Sequence, residues 1–162
     1  MASLAACAVG NTHRYQDTVA DVERTGTIAI VVTTHDQRQY VVSGNKGQDF
    51  VGLQRGGFGN PFDVRTDSGN ALASDMTQSL INSLSKKGFK AVPVPVAPTD
   101  DQQTVMNKLK ASGGERFLIL TLTEWKSDTY NNTALIYDIK AAILDSEGKT
   151  LGGKDAMTWV AV

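Results

Sequence analysis

Few side chains in this sequence can carry chemistry near neutral pH. There are two histidines, His13 and His35, and one cysteine, Cys7. His13 falls in a polar arm and His35 in a stretch read as a hairpin turn, so both are expected to be solvated. One thiol and two scattered imidazoles are too few soft ligands for a zinc site. The chain has no Gly-x-Ser-x-Gly elbow, no His-Glu-x-x-His, no Gly-x-x-x-x-Gly-Lys loop and no Cys-x-x-Cys pair. Asp100 and Asp101 read as a helix start, where carboxylates meet the positive end of the dipole. Asp63, Asp67 and Asp75 lack the spacing of a calcium loop or of paired acid–base carboxylates. No catalytic residue, metal or cofactor is therefore expected, and the chain is read as non-enzymatic.

The most unusual segment is Gln54-Arg55-Gly56-Gly57-Phe58-Gly59-Asn60-Pro61-Phe62-Asp63-Val64. Its glycines permit positive φ and close backbone approach. Arg55 offers a two-pronged fork for a carboxylate or phosphate. Phe58 and Phe62 are apolar anchors, and aromatic and Arg side chains are enriched at interface hot spots. Three readings stand: an ordered loop with both rings tucked into its own domain, a protein-binding surface built on Arg55, Phe58, Asn60 and Phe62, or a small-ligand site.

Cys7 closes the stretch Leu4-Ala5-Ala6-Cys7. An aliphatic residue, two small residues and a cysteine resemble a bacterial lipobox. That resemblance implies cleavage ahead of Cys7 and acylation of its thiol and new amino group. Two or more acyl chains anchor a protein stably where one holds only marginally. Ala8, rather than Asp, follows the cysteine, which resembles outer-membrane sorting in enteric-type bacteria. Met1-Ala2-Ser3 supplies neither the basic region nor the apolar stretch of a signal peptide, so a shortened precursor or an expression form is expected. The competing reading is an incidental thiol in a frayed terminus.

The totals restrict the function further. Of 162 residues, 16 are basic and 17 acidic, for a formal charge of -1. Such a balance leaves no electrostatic footprint for nucleic acid and no polybasic membrane patch. The length suits one domain, and no run approaches the roughly 18 apolar residues of a spanning helix.

Residues 1–25 are read as a lipobox and polar tether, and residues 26–162 as one domain. Residues 26–34, GTIAIVVTT, form a β-branched strand, with Gln39-Tyr40-Val41-Val42 pairing back as its hairpin partner. A long irregular loop follows from Ser43. Leu72, Met76, Leu80 and Leu84 recur at i+4 and predict an amphipathic helix. It is capped by Asp67 or Ser68 and ended by Gly88 behind Lys86 and Lys87. Residues 89–96, with two prolines, read as an edge strand. Thr99 is the expected cap of a second helix carrying Val105, Met106 and Leu109. Residues 116–126, 134–144 and 154–162 alternate and predict an antiparallel meander, with Ser146-Glu147-Gly148-Lys149 as a turn. The expected fold is α+β, in the order β-β-α-β-α-β-β-β, with an antiparallel sheet and two helices on one face.

With the lipobox and tether in front, three stretches carry a further resemblance. They are Ser85-Lys86-Lys87-Gly88-Phe89-Lys90, Phe117-Leu118-Ile119-Leu120-Thr121-Leu122, and the hairpin from Asp128-Thr129-Tyr130-Asn131-Asn132 to Tyr137-Asp138-Ile139. The layout resembles the YajG-like small outer-membrane lipoproteins of Gram-negative bacteria. The resemblance implies a lipoprotein held by acylated Cys7 at the periplasmic face of the outer membrane. It would be a structural or assembly accessory of the envelope, acting through a protein partner or a homo-oligomer. That family has no established catalytic residues to carry over. The alternative is a periplasmic binding module for a small ligand or glycan, using Arg55, Phe58 and Phe62, or a sheet face bearing Trp125, Tyr137 and Trp159.

Overall fold

The computed structural model describes residues 12–161, with side chains described through residue 156. Cys7 and the side chain of Trp159 lie outside the described residues.

The organising element is a long strand, β6 (Arg116–Thr129). Its alternating apolar run lets both faces and both edges be covered. Along one edge runs β7 (Thr133–Asp145), antiparallel, and beyond it β8 (Thr150–Ala161), also antiparallel. This is the predicted meander, and the turn between β7 and β8 falls at the expected residues. There Asp145 Oδ1 accepts hydrogen bonds from the Glu147 and Lys149 amides, and Gly148 takes φ 87°.

Two strands share the other edge of β6. Its first half pairs in parallel with β2 (Ala29–Asp36), from Ile30 against Arg116 to Asp36 against Leu122. Its second half pairs in parallel with β3 (Phe50–Arg55), from Gly52 against Ser127 to Gln54 against Thr129. β2 carries β5 (Lys90–Pro93) on its far side, in parallel. β3 forms an antiparallel hairpin with β4 (Pro61–Thr66), which in turn pairs with β1 (Thr12–His13). The sheet is therefore mixed, not antiparallel, and its strand order differs from the expected one. β5 is the edge strand that Pro93 required.

The first hairpin of the sequence reading does not form. Residues Gln39–Val42 make α1, a single helical turn, because β2 has to leave β6 at this point. Arg38, fully buried, fills the resulting fork. Its Nε and Nη2 donate to the two carboxylate oxygens of Asp36, at 2.8 and 2.7 Å. Nη1 donates to the carbonyls of Phe50 at 2.6 Å and Trp125 at 3.2 Å, and Nη2 reaches that of Gln48 at 3.4 Å. Arg38 thus supplies β3 and β6 with donors where no strand can, since buried carbonyls need partners. Burial is the largest single influence and disfavours its charge, but the hydrogen bonds and negative charge of Asp36, with a smaller contribution from Tyr40, together exceed it and the net effect raises its pKa. The long loop expected from Ser43 instead holds β3 and β4.

α2 (Leu72–Ser85) carries the predicted stripe, and α3 (Gln102–Ala111) the second. They lie on opposite faces of the sheet, not on one. Ile81 and Leu84 of α2 pack on Val32 and Leu118, and Leu72 packs near Leu122. Val105 and Leu109 of α3 pack on Val31, Phe117 and Leu144. Adjacent residues of a strand face opposite ways, so Val31 and Val32 separate the two helices. The chain reaches the two helices from opposite sides of β2: α2 follows β4, beyond β6, and leads to β5 at the edge, whereas α3 leads from β5 back across β2 to β6.

The caps also moved by a few residues. Asp101, not Thr99, caps α3 and accepts from the Thr104 amide at 2.7 Å. Ala71 stands at the N-cap of α2, while Ser68 Oγ donates to Asp75 Oδ2. Residues ahead of β2 lie along α2: Ser79 Oγ donates to the Thr18 carbonyl, and the Ala20 amide to Ser83 Oγ.

Candidate functional site

The Gly-rich segment forms the tip of the β3–β4 hairpin. Pro61 pairs with Arg55, and the Gly56 amide donates to the Asn60 carbonyl at 2.9 Å. Gly59 takes φ 81°, which a residue with a Cβ rarely adopts, so the tight turn needs it. Asn60 is exposed and serves the turn through its backbone. Phe58 at the tip is 98% exposed, and Phe62 beside it 49%. The Phe62 ring lies over Gly56, where an added Cβ would sit 3.2 Å from it. The reading in which both rings tuck into the domain does not hold for Phe58.

Arg55 is not free for a ligand. Its Nε and Nη2 donate to the two carboxylate oxygens of Asp128 on β6, at 2.8 and 2.7 Å. These hydrogen bonds hold the Asp128 carboxyl below the usual carboxylate range, against the opposing effect of partial burial, and raise Arg55. The pair clamps the β3–β4 tip to the end of β6. There the β6–β7 turn presents Tyr130, 52% exposed, whose hydroxyl reaches 3.5 Å from the Gly57 carbonyl. Two adjacent turns and the start of β4 therefore display Phe58, Tyr130 and Phe62 at one end of the sheet. Sequence reasoning missed Tyr130, which joins the patch only through the parallel pairing of β3 with β6.

The remaining residues singled out from the sequence have structural partners. Trp125 packs on Tyr15 and Tyr137, at ring distances of 5.9 and 5.8 Å, and its indole donates to the Tyr15 hydroxyl. Asp63 pairs with Lys46, and Asp67 with Arg14 and Thr12. Among the described residues, no cluster of three or more His, Cys, Asp or Glu side chains could hold a metal ion. His13 is exposed on β1. His35 corrects the expectation: it lies within β2, 5% exposed.

The sequence matches no protein-family model and no curated protein. Among solved structures, the fold is similar to that of protein XCC0632 from Xanthomonas campestris, described under family DUF330. The TM-score is 0.55, with 8% identity, over 89% of this chain and 73% of that one. The two share a fold. Two further similarities are to lipoprotein GNA1162 from Neisseria meningitidis and to the LpoB C-terminal domain from Escherichia coli. The first has a TM-score of 0.46 and 16% identity over 83% of each chain. The second has a TM-score of 0.41 and 12% identity over 85% of this chain and 86% of that domain.

Proposed function

We propose that this chain is the folded domain of a non-enzymatic lipoprotein. Cys7 anchors it to the periplasmic face of the outer membrane, and it serves envelope assembly through protein–protein contacts made by the Phe58 end of the sheet. The observation that carries the contact surface is the near-complete exposure of Phe58 beside Phe62 and Tyr130. Contiguous exposed aromatics rimmed by polar groups mark interaction sites, and rigid rings lose little entropy on binding. The Arg55–Asp128 clamp sets the two turns in advance, which reduces the ordering cost of association. Anchoring is supported by the lipobox residues Leu4-Ala5-Ala6-Cys7. No helix among the described residues is long and apolar enough to cross a membrane, so acyl chains would supply the attachment.

The test is a precursor with a full signal peptide, expressed in a Gram-negative host. Expected are a mature chain beginning at Cys7, heavier by three acyl groups, in the outer-membrane fraction, and a photo-cross-link from position 58 to one discrete envelope protein. Phe58→Ser should abolish co-purification of that protein while the domain melts unchanged. A soluble product with an unmodified thiol overturns the anchoring. Cross-links spread over many proteins, insensitive to Phe58→Ser, overturn the interface.

A further inference from the structure

The α2 face of the sheet holds an apolar cavity of about 460 Å³ at the Arg116 end of β6. Strand register explains why it is open. Val32, Leu118 and Ile143 form one row across β2, β6 and β7. Ile81 and Leu84 of α2 pack on Val32 and Leu118. Ile143, one strand further out, stays 46% exposed. The chain ahead of β2 builds a second wall. The Gly26 amide donates to the Lys87 carbonyl at 3.2 Å, and the Lys90 amide to the Ile28 carbonyl at 3.1 Å. The Phe89 ring lies against Gly26, where an added Cβ would sit 2.2 Å from it. Val22 and Ile28 thereby join Leu84, Phe89, Ile30 and Leu118 around the cavity.

Two guanidinium groups, those of Arg24 and Arg116, also line it. Among the described residues neither is in an ion pair. Arg116 is half-buried, and its side chain donates to the Glu115 carbonyl at 2.7 Å through Nη1, which leaves most of its donors unused. The neighbouring acids are engaged elsewhere. Glu115 Oε1 accepts from the Ala29 amide at 3.0 Å. Asp145, opposite Arg116 in the β6–β7 ladder, accepts from the Glu147 and Lys149 amides. Glu23 is the one acid of the lining, and it is exposed. A charge partly withdrawn from water favours an opposite charge beside it, and a guanidinium meets a carboxylate with two parallel hydrogen bonds.

We propose that this cavity binds a single acyl chain ending in a free carboxylate, the chemistry of a fatty acid. The chain rests on Ile30, Leu118 and Ile143 between Phe89 and Ile28. The carboxylate accepts from Arg116, and Arg24 supplies a second positive charge. The volume lies within the range of ligand pockets, roughly 300–1,000 Å³. The site is at the opposite end of β6 from Phe58, roughly 40 Å away, and depends neither on that surface nor on Cys7.

The experiment is an NMR titration of the chain, labelled at its Ile, Leu and Val methyls, with decanoate. Octanoate, decanol and decyltrimethylammonium are the comparisons, all kept below micelle formation. Expected are saturable shifts of the Ile28, Ile30, Leu118 and Ile143 methyls with decanoate. Octanoate should bind more weakly, by about fourfold for each buried methylene it lacks. The alcohol should bind about tenfold more weakly than decanoate, and the cation should not bind, because each forfeits the charge-assisted contact. Arg116→Gln should weaken decanoate binding about tenfold for the same reason, with the melting temperature unchanged. Arg24→Gln, at an exposed residue, should weaken it about threefold. Absence of a saturable shift in the native chain overturns the proposal. So does equal binding of the alcohol or the cation, or full affinity for decanoate in both Arg variants. Methyl shifts that follow protein concentration rather than decanoate mean that a second copy covers the cavity, and overturn it as well.

Discussion

Arg38 and Asp36 form a two-pronged ion pair from which water is excluded, with side-chain exposures of 0% and 1%. The pair sits where β2 parts from β6, and the same guanidinium serves the carbonyls of Phe50, Gln48 and Trp125. The sheet is forked, and the charge closes the fork.

Arg38→Leu should therefore cost about 3–5 kcal/mol, the range for breaking a buried ion pair from one side. It strands the Asp36 carboxylate and removes the guanidinium donor from the Phe50 carbonyl, while Gln48 keeps the Leu72 amide and Trp125 the Tyr40 hydroxyl. Arg38→Lys should not rescue it, because an ammonium cannot span Asp36 and both strands. Urea denaturation of the two variants checks this. A loss under about 1 kcal/mol, as for a surface pair, would refute it.

Gly52 faces Ser127 across the parallel pairing of β3 with β6, and an added Cβ would lie 2.6 Å from the Ser127 carbonyl oxygen. Gly52→Ala should destabilise the domain by about 1–3 kcal/mol through forced backbone movement. Gly57, with nothing near its would-be Cβ and no positive φ, should tolerate alanine within about 0.5 kcal/mol. Thermal melts of the two variants give the comparison.

The Asp128 carboxyl titrates below its unfolded value of about 3.9. Its contribution to stability is present above pH about 4 and fades as the pH falls through the folded value. Asp128→Asn should lower stability at neutral pH. The difference from the native chain should shrink toward zero in acid. Parallel denaturation curves across pH measure this, and a difference constant with pH would remove the clamp from the account.

Two phenylalanines make opposite predictions. Phe117, 1% exposed under α3, should cost about 3–5 kcal/mol when truncated to alanine. Phe58, 98% exposed, should cost under about 0.5 kcal/mol when changed to serine. Equal losses would mean that Phe58 has a covering contact within its own domain.

What the sequence could reveal followed from local periodicity. The stripe Leu72, Met76, Leu80, Leu84 predicted α2, and the alternation after Arg116 predicted β6, β7 and their hairpin. The parallel pairings were hidden because they join residues as distant as Ile30 and Arg116, and no local pattern records a partner. Phe50–Arg55 and Pro61–Thr66 read as loop since glycine and charge break their alternation. Gln39–Val42 read as strand from its β-branched pair, yet the inward turn of Arg38 forces a helical turn there. Of the exposed end, Arg55, Phe58 and Phe62 stood out by type. Tyr130 and the Asp128 partner did not, because parallel pairing alone brings them close. His35 looked solvated only while residues 35–38 were read as a turn.

The shared edge of β6 also governs when the protein can fold. β2 and β3 are made early, but the strand that unites them ends at Thr129. Long-range pairing of this kind is slow, because loop closure precedes any gain in contacts. The growing chain thus stays open until about four-fifths of it exists. During that wait the apolar run Ala29-Ile30-Val31-Val32-Thr33-Thr34 has no neighbour on its β6 side, and such a stretch is prone to aggregate. It is the segment that a holding chaperone would have to cover.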